Sequence, residues 1–82
     1  MIKSNTDILI ERLEKYAKSK DLKFVYAQER GPNGRLVLYF KTADRSRSYS
    51  HALSHEDIDN VIDIKLIVKR VKECVEEKLC LL

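Results

Sequence analysis

The four residues Gly31-Pro32-Asn33-Gly34 constrain this chain more than any other stretch, because they separate two runs of alternating apolar and polar residues. Proline presets φ at the first central position of a turn, asparagine tolerates the second, and glycine accepts positive φ at the exit. Before the turn, Leu22, Phe24 and Tyr26 alternate with Lys23, Val25 and Ala27. After it, Leu36, Leu38 and Phe40 alternate with Arg35, Val37, Tyr39 and Lys41. Residues two apart on a strand share a face. The spacing therefore predicts a β-hairpin with Leu22, Phe24, Tyr26, Leu36, Leu38 and Phe40 turned toward a core. Lys23, Val25, Arg35, Val37, Tyr39 and Lys41 fall on the opposite face.

Thr42-Ala43-Asp44 reads as a second, short turn into Arg45-Ser46-Arg47-Ser48-Tyr49-Ser50-His51. Alternation there puts two arginines, a tyrosine and a histidine on one side and only serines on the other. So little hydrophobicity suits an edge strand. The expectation is that the serines sit beneath a helix while Arg45, Arg47 and Tyr49 continue the exposed face of the hairpin.

Helices are expected on both flanks. Ser4-Asn5-Thr6-Asp7 offers Ser4 or Asn5 as a cap and an acid for the positive end of the helix dipole, and Leu9, Leu13, Tyr16 and Ala17 follow at helical spacing to about Ser19. Leu53 leads to Ser54-His55-Glu56-Asp57, a capping-box pattern. No Gly or Pro interrupts the chain from there to Leu82, which allows one helix of about 25 residues, or about 38 Å. Aspartate can also cap a second start, so a break near Asp63 into two helices is the other possibility. Val61, Val68, Val75 and Leu82 recur every seven residues with Ile64 and Val71 between them, an a/d-like stripe. Ile58, Ile62, Leu66 and Ile67 widen the apolar surface where this helix should cover the sheet. The whole is an α+β chain: helix, three-stranded antiparallel sheet and long C-terminal helix, both helices on one sheet face, in a single domain spanning 1–82.

Composition narrows the function. The chain is 44% hydrophobic and 35% charged, which is a folded rather than a disordered balance. Its start, Met1-Ile2-Lys3-Ser4-Asn5, lacks a hydrophobic run, and no stretch approaches the roughly 18 apolar residues of a membrane span. Cys74 and Cys80 lie about 600° apart around a helix and cannot pair with each other. A cytoplasmic protein with reduced thiols and no membrane contact is expected. The net charge is +3, but residues 30–51 hold five Lys/Arg against Asp44 alone, a local +4, while residues 52–82 hold five against seven, a local −2. The positive charge is concentrated in the middle third.

That third carries the functional signal. Lys23, Arg35, Tyr39, Lys41, Arg45, Arg47 and Tyr49 are the candidate nucleic-acid-binding residues: arginine offers a fork that fits phosphate, and tyrosine a ring on which an unpaired base stacks. The competing explanation is an edge strand whose arginines prevent edge-to-edge aggregation. Catalysis is poorly supported. His51 could serve as a base with Arg47 on a phosphate for metal-free RNA cleavage, but no cysteine is near either histidine in sequence and no third group orients them. Glu56, Asp57, Asp59 and Asp63 are better explained as acids at a helix start than as metal ligands. No enzyme activity, cofactor or metal is expected. The second functional candidate is the late stripe, Val68, Val71, Val75, Leu79 and Leu82, as a surface for a protein partner or for a homodimer.

The order α-β-β-β-α with Gly31-Pro32 in its first strand loop resembles the double-stranded-RNA-binding domain. In that family the Gly-Pro is followed by a histidine, where this chain has Asn33 and Gly34. The family also opens its last helix with a lysine-rich box that grips phosphate, where this chain has Ser54-His55-Glu56-Asp57. The resemblance implies an α+β fold and RNA contact, but the acidic helix start does not carry the duplex specificity across. In its small size and its richness in lysine and glutamate the chain is also similar to phage-encoded accessory proteins that bind host machinery or defence factors. RNA binding by the basic sheet face is the expected function. The alternative is a protein-binding inhibitor or adaptor, for example against a host nuclease or toxin, that acts through the C-terminal helix.

Overall fold

A computed structural model of the chain describes residues 4–29, 34–60 and 63–81. The order is α1 (Asn5–Ser19), β1 (Leu22–Gln28), β2 (Arg35–Thr42), β3 (Ser48–Ser54), α2 (His55–Asp59) and α3 (Ile64–Lys78). The strands form one antiparallel sheet in the order β1-β2-β3. Both long helices lie on the same face, with α1 against β1 and α3, and α3 against β3.

Each element begins where its local chemistry allows. Ser4 is the cap of α1, its hydroxyl accepting from the Asp7 N–H at 3.2 Å. The helix buries Leu9, Ile10, Leu13, Tyr16 and Ala17 and stops at Asp21, whose φ of 56° takes the chain out of the helical path. The turn Gly31-Pro32-Asn33-Gly34 lies, except for Gly34, outside the described residues. The strands it joins pair in register from Leu22↔Thr42 to Gln28↔Leu36. The second turn is longer than expected and runs to Arg47, with Arg47 C=O accepting from the Thr42 N–H at 3.0 Å. Asp44 organises it: one carboxylate oxygen accepts from the Thr42 hydroxyl at 2.7 Å and from the Ser46 N–H and hydroxyl at 3.0 and 2.7 Å. Those bonds hold the Asp44 carboxyl down at about 2. Arg45 then sits at φ 62°, a left-handed conformation that costs a non-glycine residue about 1 kcal/mol.

The single long C-terminal helix is not what the chain forms. Ser54 caps α2 through the Asp57 N–H at 3.1 Å, and α2 ends at Asp59. Asp63 is extended (φ −136°, ψ 116°) and its carboxylate accepts from the Lys65 N–H at 2.9 Å, so that a new helix starts behind it. The break divides the apolar surface. Ile58 is fully buried from α2, whereas Val68, Val71 and Val75, followed by Leu79, are buried from α3. Val68, Val71, Val75 and Leu79 are thus core residues packed with Leu9, Leu13, Leu36, Leu38 and Phe40, not an open stripe. The correction has a simple reason. With α2 detached, α3 is only 15 residues long and nearly all of its apolar face is needed to cover the sheet and α1. Leu82 lies outside the described residues. Tyr16 closes the seam between α1 and α3: its hydroxyl donates to Glu76 at 3.1 Å and Lys72 lies 5.2 Å from its ring. Burial and the Glu76 bond raise the Tyr16 hydroxyl to about 12.

Candidate nucleic-acid interface

Backbone bonding sets which side chains share a face. The Glu29 N–H donates to Arg35 C=O at 2.9 Å and the Thr42 N–H to Arg47 C=O at 3.0 Å. Given the register, the odd residues of β2 bond to β1 and the even residues bond to β3. Leu36, Leu38 and Phe40 face the helices and are fully buried. Their β3 partners are Leu53, His51 and Tyr49. The uncovered face therefore consists of Lys23, Val25 and Ala27 from β1, Arg35, Val37, Tyr39 and Lys41 from β2, and Ser48, Ser50 and Ala52 from β3.

This reverses the expectation for the third strand. The serines are on the open face, and Tyr49 and His51 turn toward the helices. Phe40↔Tyr49 and Leu36↔Leu53 are the pairs that hold this arrangement, because Tyr49 and Leu53 both pack against the core. The reverse register would have exposed Leu53 and put serines over buried Phe40. Arg47 goes with them: its guanidinium donates to Leu79 C=O at 3.0 Å and closes the end of α3. Leu53 was the signal that could have settled the face, since it shares parity with Tyr49 and is the one large aliphatic residue of the strand.

What remains is a smaller and better-defined basic patch. Lys23, Val25, Tyr39, Lys41 and Arg45 line a shallow depression of about 310 Å³. Val25 is 63% exposed and Tyr39 40% exposed. Val25 and Tyr39 are directly opposed across β1 and β2, and so are Lys23 and Lys41. Like charges directly opposite each other weaken a sheet by a few tenths of a kcal/mol. Arg45 joins them from the turn, held in its left-handed conformation by the Asp44 network. Among the described residues none of these three cations has a carboxylate partner. Arg35 is on the same face but leans toward Glu29, with a closest N–O separation of 3.7 Å, and is partly neutralised.

The helix-facing side of β3 holds a separate cluster that the sequence did not reveal, because it joins residues 49–53 to residues 66–74. The Tyr49 hydroxyl lies 2.6 Å from His51 Nδ1. Burial, with the Cys74 thiol alongside, raises the Tyr49 hydroxyl above its ordinary value. Burial, with Arg70 nearby, lowers the His51 imidazole. Among the described residues no three His, Cys, Asp or Glu side chains gather as metal ligands, and no helix is long and apolar enough to cross a membrane. Comparison with family models, with curated proteins and with solved structures finds no match to this chain.

Proposed function

We propose that the chain is a non-catalytic binding protein for single-stranded RNA and that the open face of its sheet is the contact surface. The observation that carries this reading is the half-exposed ring of Tyr39 beside three cations without acidic partners, Lys23, Lys41 and Arg45. A ring of that kind accepts an unstacked base, worth about 1–3 kcal/mol, while the cations hold the phosphates on either side. The Lys23↔Lys41 opposition is relieved when an anion lies between the two lysines. The resemblance of the sequence's element order to the double-stranded-RNA-binding domain is a second support for RNA as the ligand, although the observed order ends in two helices, α2 and α3, rather than one. The acidic start of α2, Ser54-His55-Glu56-Asp57, still argues for unpaired rather than duplex RNA. Arg47 and Tyr49 drop out of the contact surface because they serve the helix-covered side.

Titration of labelled single-stranded RNA between about 50 and 200 mM salt tests the proposal. Three phosphate contacts at roughly −0.7 each should give a log–log salt slope near −2. Lys41→Ala/Arg45→Ala should flatten it by more than one unit, whereas Tyr39→Leu should weaken binding about fivefold or more and leave the slope in place. Absence of binding at about 50 mM salt, or a slope indifferent to the double variant, would overturn it.

A further inference from the structure

β3 is an edge strand, and among the described residues no strand pairs with its outer edge. By the bonding parity above, its odd residues use their N–H and C=O groups toward β2, so the backbones of Ser48, Ser50 and Ala52 point outward. All three residues are exposed and small. Edge strands are commonly guarded by Lys, Pro, a bulge or inward charges. From Ser48 to Ser54 this one has no Lys, Arg, Pro or Gly. Alongside the edge, between β3 and α3, lies a depression of about 360 Å³ whose apolar floor includes Leu53 and Ile67 and whose polar lining includes His51, Asp57 and Arg70. Leu66, 62% exposed, adds an apolar side chain to its lining.

We propose that this groove docks a partner protein's extended segment as a fourth strand on β3, with an apolar side chain in the depression and an acidic side chain against Arg70. Strand addition uses the free backbone groups for affinity and alternate side chains for specificity. Leu53 and His51 are two residues apart, one strand period, so the incoming apolar and acidic side chains are also two apart. Charge selects the occupant. Arg70 has no carboxylate partner among the described residues, and Asp57, near the Leu53 end, directs the acidic group of the peptide away from itself. A second copy of this chain fits less well. Its own edge strands, Leu22–Gln28 and Ser48–Ser54, contain no Asp or Glu, so neither could answer Arg70. The depression shares no lining residue with the Lys23, Val25, Tyr39, Lys41 and Arg45 patch, although the edge residues Ser48, Ser50 and Ala52 carry their side chains on the open face.

The test is a selection of surface-displayed random peptides of roughly ten residues on the intact chain, followed by amide NMR titration with the enriched peptides. Enriched sequences should share an apolar residue and an Asp or Glu two positions away. The Ser48, Ser50 and Ala52 amides should shift and exchange more slowly with solvent. Arg70→Glu should weaken binding about tenfold or more and select Lys or Arg in place of the acid. Ala52→Pro removes an outward N–H without touching the β2 ladder and should weaken binding similarly, and both variants retain the wild-type circular dichroism. Lys41→Ala/Arg45→Ala should leave peptide binding unchanged. No enrichment over a control surface would overturn the proposal, as would affinities indifferent to Arg70→Glu and Ala52→Pro. Concentration-dependent protection of the Ser50 and Ala52 amides without peptide would also overturn it and give the edge to a second copy.

Discussion

The two faces of the sheet are built from the same three strands yet solve different problems. On the covered face Leu36, Leu38 and Phe40 are fully buried, and Phe24, Tyr49 and Leu53 fill in around them. Phe24 and Phe40 pack as a tilted pair, with ring centres 4.9 Å apart and 32° between the ring planes. Most large side chains there displace water and are fixed by neighbours on several elements, the exception being Tyr26, which shares their face but is 46% exposed near the end of β1 rather than in the core as expected. On the open face Val25 and Tyr39 are opposed across one strand pair, the serines of β3 contribute almost no bulk, and two lysines oppose each other. Nothing in that arrangement maximises stability. The difference teaches where packing stops deciding the sequence: the exposed valine and tyrosine beside opposed cations are not accounted for by the core, and the proposed RNA contact is the reading that would give them a use.

Adjacent residues of one strand give the largest test of this contrast. Phe40→Ala should cost about 3–5 kcal/mol, the range for deleting a large buried aromatic. Against the roughly 5 kcal/mol that a domain of this size has to spare, denaturant titration should find the variant largely unfolded or close to it. Tyr39→Ala, one position away, should change stability by less than about 1 kcal/mol. Comparable losses at the two positions would mean that the open face is covered in solution and that the contrast is false.

Much of this was legible in the sequence, and what was not has a physical cause. The cap at Ser4, the helical spacing of Leu9 and Leu13, and the hairpin around Gly31-Pro32-Asn33-Gly34 each depend on residues close together, where local geometry decides. The orientation of β3 does not. Alternation tells which residues share a face but not which way that face turns, and the arginines of residues 45–51 suggested the wrong direction. The answer lay in long-range pairing of Phe40 with Tyr49 and of Leu36 with Leu53. The break at Asp63 was readable as a cap but competed with an uninterrupted seven-residue stripe, and it moved Val68, Val71, Val75 and Leu79 from a supposed surface into the core. The groove beside Arg70 joins residues distant in sequence, so no local pattern announces it.

Exchanging neighbours on β3 sharpens the comparison at intermediate magnitude. Tyr49→Ser empties a partly buried aromatic position beside Phe40 and should cost about 2 kcal/mol. Ser50→Tyr places a ring on the open face directly opposite Tyr39, in a pair without direct backbone bonds where side chains approach most closely. Its stability should be unchanged or higher by up to about 1 kcal/mol. If bases stack on this face, the added ring should also strengthen single-stranded RNA binding about fivefold. A destabilised Ser50→Tyr would show that Ser50, too, is packed against something.

The smallest expected effect concerns protons rather than packing, and it separates the faces by pH. His51 is half-buried on the covered face, beside Tyr49 and near Arg70, and burial followed by Arg70 lowers its pKa below the ordinary 6.5. When the folded value lies below the unfolded one, the unfolded chain takes up its proton first as pH falls. The contribution of His51 is therefore complete above about 6.5 and is lost as pH falls through the folded value. The open face contains no histidine. Thermal unfolding followed from about pH 8 to pH 5 should show the melting temperature decline below about 6.5. His51→Gln should flatten that decline, whereas Tyr39→Ala should leave its shape intact. An acid slope that survives in His51→Gln would place the titrating group elsewhere and leave His51 as solvated as the open face. The groove beside it would then be less desolvated than its lining residues suggest, and the hold of Arg70 on an acidic partner correspondingly weaker.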